Sequence, residues 1–157
     1  MYFPKFIKIN NQESVVDCGA FDGDTLKLFV NKTNKWQNYF AFEPSNKPHD
    51  DLNKYIETHQ IQNIKTYKIG VWNKKTTLSF VEENDISRIV EGKVMNGTKI
   101  EVDAIDNLFS DVPITYIKMD LEGSELIALE GAKHTILKNK PKLAISIYHK
   151  PSDLINI

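Results

Sequence analysis

Between Val15 and Thr25 the chain reads VVDCGAFDGDT, with Gly19 and Gly23 four residues apart and the carboxylates Asp17, Asp22 and Asp24 around them. Glycine lets a backbone approach a ligand where any Cβ would collide, and acids beside it attract cations and repel phosphates. Farther along, Glu43 closes the run FAFE, and Lys118, Asp120 and Glu122 alternate through IKMDLEG. An acid at a strand end can accept both hydroxyls of a ribose. An acid beside a reacting hydroxyl can take its proton or hold it in line. The candidate chemistry is recognition of a cationic, nucleoside-like ligand next to a proton-handling carboxylate.

Such residues act together only if the elements bring them together. Residues 14–20 read as a buried β-branched strand, and Leu26, Phe29 and Val30 follow at helical spacing with Asp22, Asp24 or Thr25 as the cap. YFAFEP predicts a strand stopped by Pro44, and Leu52, Tyr55, Ile56 and His59 predict a helix with Pro48 in its first turn. IKTYKIGVW is read as a third strand. Residues 73–102 predict an inserted antiparallel hairpin or ordered lid, with Asn96-Gly97 as its turn. A short helix in 102–109 precedes a strand in TYIKMDL, one helix over 123–141 with Leu126, Leu129, Ala132, Ile136 and Leu137 on one face, and a last strand in KLAISIY. Strands alternating with helices predict an α/β, Rossmann-like, doubly wound and mostly parallel sheet in a single domain over residues 1–157. Ligands of such sheets sit at the carboxyl ends of the strands, where Asp17–Gly23, Glu43 and Asp120 all fall.

A dinucleotide pyrophosphate would need G-x-G-x-x-G, but Phe21 stands two residues after Gly19, and Asp22 and Asp24 would repel the phosphates. A cationic ligand without phosphate fits better, and S-adenosylmethionine is such a ligand. Glu43 has two readings, a solvated strand end or the ribose acceptor, and its place one strand from the glycine turn favours the second. Lys118 also has two. In a strand buried on both faces it either neutralises Asp17, Asp120 or Glu122 structurally, or joins Asp120 and Glu122 at the acceptor side.

Together VVDCGAFDGDT, FAFEPS and YIKMDLEGSELIALEGA resemble the FkbM-type methyltransferases, a class I S-adenosylmethionine-dependent family, over roughly Tyr2 to Leu154. The resemblance implies methyl transfer to a hydroxyl, on a sugar or other small acceptor. By position it implies Asp17, Gly19 and Gly23, with Ala20 and Phe21 between them, at the methionine end. Glu43 would be at the ribose and Gly70-Val71 beside the adenine. A class I sheet also carries a further strand pair after the fifth strand, and only nine residues follow Tyr148. The expectation is therefore a shortened sheet whose open edge would let copies of the chain associate.

The remaining candidates are weaker. His49, His59, His134 and His149 lack metal-ligand spacing. Asp120 and Glu122 could take a divalent ion, but nothing in the sequence requires one, so no metal is assigned. His149, following the last strand, could touch acceptor or cofactor, and Ser87-Arg88 could reach the acceptor from the insertion. Trp72 could flank an adenine. Cys18 reads as a small buried hydrophobe. A net charge of −1 argues against nucleic acid as a partner, no run is long enough for a membrane span, and a single cysteine suits a reducing cytoplasm. The alternatives are an NAD-type nucleotide-binding module and a non-catalytic cofactor-binding relic.

Overall fold

A computed structural model of the chain describes residues 2–4, 6–83, 86–90 and 97–157. The expected β-α-β-α-β opening is present: β1 (Ser14–Cys18), α1 (Asp24–Val30), β2 (Asn38–Phe42), α2 (Asn46–Thr58) and β3 (Ile64–Tyr67). There follow β4 (Gly70–Val71), β5 (Thr76–Glu83), β6 (Ile86–Val90), β7 (Thr98–Asp103), α3 (Ile105–Leu108) and β8 (Tyr116–Met119). The chain then forms α4 (Glu125–Glu130), α5 (Lys133–Asn139), β9 (Lys142–Ile145) and α6 (Asp153–Asn156). Among the described residues, no helix is long and apolar enough to cross a membrane.

The main sheet runs β3-β2-β1-β8-β9, with every pair parallel. The strand order reverses between β1 and β8, which opens the crevice where such sheets bind ligands. Strand alternation divides the core in two. Val16, Cys18, Phe42, Ile117 and Met119 pack one face with Ile105, Phe109 and Ala128. Val15, Tyr39, Ala41 and Tyr116 pack the other with Leu26, Phe29 and Leu52. As the alternation of IKMD requires, Lys118 lies on the opposite face from Ile117 and Met119.

Four elements differ from the sequence reading. The run read as one strand, 64–72, is two: β3 stays in the main sheet, while β4 joins a second sheet of order β4-β7-β5-β6. In that sheet β4 and β7 are parallel and β5 is antiparallel to both neighbours. The Asn96-Gly97 turn falls partly outside the described residues. Helix α1 is preceded by Gly23 as its N-cap, in the left-handed region at φ 87° and with no side-chain cap hydrogen bond, and Asp24 instead accepts the N–H of Thr25 at 2.6 Å. The helix read over 123–141 breaks into α4 and α5. At the break a Cβ on Gly131 would lie 2.2 Å from the Trp72 carbonyl oxygen, so the close crossing selects glycine. Leu126 and Leu137 turn outward, and Glu125, Ala128, Ala132 and Thr135 are buried. Finally, β9 stops at Ile145. Its only ladder partner among the described residues is β8, and the antiparallel strands of the insertion do not flank it.

Candidate active site

The carboxyl ends of β1, β2 and β8, together with β4, surround a cavity of about 270 Å³. Gly19, Phe21, Glu43, Gly70, Val71, Lys118, Asp120 and Glu122, all singled out from the sequence, line it. Asp17, Ala20 and Gly23 do not line it. They form the framework behind the wall.

That framework begins with Asp17. It is fully buried, its Oδ2 accepts the Tyr39 hydroxyl at 2.7 Å, and its Oδ1 faces the Lys118 ammonium at 3.1 Å. Lys118 Nζ also donates to the Gly19 carbonyl at 2.5 Å and lies 3.4 Å from that of Cys18. Burial pulls the Lys118 ammonium down, but Asp17 and Asp120 outweigh it and hold the group above its ordinary range. Burial pushes the Asp17 carboxyl the opposite way for an ion pair, upward, against Lys118 and Tyr39. Two backbone carbonyls accept from the Nζ and the Asp17 carboxylate faces it, so the ionised pair is the form that fits. Of the sequence alternatives for Lys118, Asp17 is the partner. The lysine therefore braces the glycine turn, while its flank also faces the cavity.

Gly19 has φ 76°, and a Cβ there would sit 2.0 Å from the Asp120 carbonyl oxygen. The glycine is required by the approach of the β1 turn to the end of β8, in addition to any approach to a ligand. Phe21 is also left-handed, at φ 47°, and the residue is 58% exposed at the mouth. Its N–H donates to Glu43 Oε2 at 3.0 Å, and the Ser45 N–H donates to Oε1 at 2.8 Å. Glu43 thus pins the glycine turn to the end of β2. Burial raises its carboxyl above the ordinary range, opposed by the N–H groups of Ser45 and Phe21. Each carboxylate oxygen keeps further acceptor capacity.

The opposite wall is acidic. Asp120 accepts the Tyr2 hydroxyl through Oδ2 and the Tyr148 hydroxyl through Oδ1, the latter at 3.3 Å. Burial and the bond to Asp120 push the Tyr2 phenol up. His149 Nε2 stands 3.4 Å from Asp120 Oδ1 and 3.4 Å from Glu122 Oε2, and its Nδ1 lies 2.9 Å from Glu125 Oε1. Phe80 and Ile89 bring apolar surface from the second sheet, whereas the side chains of Ser87 and Arg88 lie outside the described residues. Trp72 is buried and is not part of the lining, and Cys18 is a buried thiol pushed up by desolvation.

Sequence reasoning missed Tyr2, Ser45 and Glu125. Glu125 left a signal, an acid on the apolar face of the last motif. Tyr2 left none, because only the tertiary fold carries residue 2 to residue 120.

Residues 17–156 match the family model described as the methyltransferase FkbM domain. The chain is similar to the crystal structure of methyltransferase FkbM from Methylobacillus flagellatus KT, at 30% identity and a TM-score of 0.78, over 96% of this chain and 37% of that one. It thus spans little more than a third of that protein's length. An rRNA methylase from Streptococcus thermophilus shares the fold at 17% identity and a TM-score of 0.57, over 94% of this chain and 68% of that one. No curated protein matches the chain.

Proposed function

The chain belongs to the FkbM methyltransferase family, and from that premise we propose that it transfers a methyl group from S-adenosylmethionine to a hydroxyl of a sugar or other small acceptor. The observation that carries this reading is the charge of the pocket wall. Asp24, Glu43, Asp120 and Glu122 line it, and its lysine, Lys118, is engaged with Asp17. An anionic wall favours sulfonium and ammonium groups and disfavours a pyrophosphate.

S-adenosylmethionine supplies an electrophilic methyl group when bound. In this proposal Glu43 receives the ribose hydroxyls on its remaining lone pairs, and Gly70 and Val71 border the adenine. The turn containing Asp17, Gly19, Ala20, Phe21 and Gly23 shapes the methionine end, held in place by Lys118 and Glu43. Phe80 and Ile89 exclude water above it. On the acceptor side, Asp120, oriented by Tyr2 and Tyr148, is within the wall where it can hold or take a hydroxyl proton, with Glu122 beside it. A free, buried Cys18 suits a reducing compartment, and we place the reaction in the cytoplasm.

Thermal melts with S-adenosylhomocysteine and with NAD test the reading. The expected result is a rise in Tm with S-adenosylhomocysteine alone, since a ligand stabilises by RT ln(1 + [L]/Kd). Stabilisation by NAD alone, or by neither, would overturn it.

A further inference from the structure

We propose that Asp120, Glu125 and His149 hold a divalent metal ion beside the pocket. Each offers a ligand atom, and the three atoms lie within 4.8 Å of one another. Ligands bound to one ion at about 2.0–2.2 Å stand roughly 3–4.4 Å apart, so the three atoms would draw together to close around a cation.

Two further observations point to a cation. Glu125 is fully buried, and its Oε2 has no hydrogen-bond partner. The imidazole of His149 is buried to one-tenth exposure, and its Nε2 likewise makes no hydrogen bond, although Asp120 and Glu122 oxygens face it. A buried polar atom without a partner is costly, and these two belong to the same cluster. Charge argues in the same direction. Asp120, Glu122 and Glu125 contribute three formal negative charges around one imidazole, and even an imidazolium leaves two uncompensated. Of the nearby lysines, Lys118 is paired with Asp17 and Lys150 donates to the Gly123 carbonyl, next to Glu122. One divalent cation neutralises that excess. Carboxylate oxygens with one imidazole and no thiolate suit Mn2+ or Zn2+.

Because Asp120 belongs to both the cation group and the pocket wall, the ion would also help to seat an acceptor oxygen. That role rests on the methyl-transfer reading, whereas the binding itself does not.

The test is a melt of chelator-treated protein with Mn2+ or Zn2+ alone, together with elemental analysis after dialysis. At a hundredfold excess over Kd, the wild-type Tm should rise by at least about 5 °C, and the metal should be retained. Glu125→Gln and His149→Ala should each weaken binding at least tenfold. If Glu125→Gln does not fold, His149→Ala carries the comparison. No Tm shift and no retained metal in the wild type would overturn the proposal, as would undiminished binding in the folded variants. A parallel titration with S-adenosylhomocysteine in chelator reports the cofactor reading alone, so one can fail without the other.

Discussion

Asp17 and Lys118 are register partners across the parallel β1–β8 pair, with carboxylate and ammonium 3.1 Å apart and almost no exposure on either side chain. This pair sits where the strand order reverses, and through the Gly19 carbonyl it sets the shape of the pocket floor. Removing one partner of a buried pair leaves a naked charge and costs about 3–5 kcal/mol. Lys118→Met should therefore lower urea stability by that amount, and Asp17→Leu should do the same. The double variant should be less destabilised than the two losses added together. Simple additivity in the double-mutant cycle would show that the two groups are not coupled.

Glu43 should carry ribose recognition. Glu43→Ala should weaken S-adenosylhomocysteine binding by about 1.5–3 kcal/mol, more than tenfold, the scale of hydrogen bonds to a charged group. Unchanged affinity by calorimetry would remove the assignment.

The same carboxylate makes affinity depend on pH. Burial holds Glu43 above its ordinary value of 4.5, so on acidification it takes up its proton earlier than a free glutamate. Ribose hydroxyls donate, and a protonated carboxyl accepts less well. As pH is lowered, S-adenosylhomocysteine affinity should therefore begin to fall while the pH is still above 4.5, and Glu43→Gln should flatten the profile. The unliganded protein behaves in the opposite sense. A raised folded-state value means that the stability contribution of Glu43 is fully present below its unfolded value and is lost as pH rises through the folded one. Parallel affinity profiles for wild type and Glu43→Gln would count against this account.

Asp120→Asn separates chemistry from scaffolding. The variant should fold and bind S-adenosylhomocysteine, while transfer to any hydroxyl acceptor that supports turnover falls at least about tenfold. Near-normal turnover in the folded variant would end the catalytic assignment.

Gly19→Ala should be destabilising. Its Cβ would lie 2.0 Å from the Asp120 carbonyl oxygen at a backbone φ of 76°. A loss of about 2–4 kcal/mol is expected, and Tm should drop by at least about 4 °C. A melt indistinguishable from wild type would show that the turn and the end of β8 separate freely.

Much of this arrangement was legible in the residues themselves. The β1, β2 and β8 strands, the glycine turn, Glu43 and the acids after Met119 all follow from period, turn chemistry and the rule that strand ends carry sites. Local sequence determines these because each depends on neighbours only two to four positions away. The split of residues 64–72 into β3 and β4 did not follow, because a second sheet recruits Gly70 and Val71 through β7, about thirty residues later. Nor did the break between α4 and α5, which answers to the carbonyl of Trp72. Two pairings were equally hidden. Lys118 had three acids to choose from, and only strand register selected Asp17, while His149 met Asp120, Glu122 and Glu125 only after β9 had paired with β8. Residue types and periods determined which groups were available at the carboxyl edge. Long-range pairing and close packing decided which of them touch, because a contact between distant residues is set by the whole sheet and leaves no trace in local spacing.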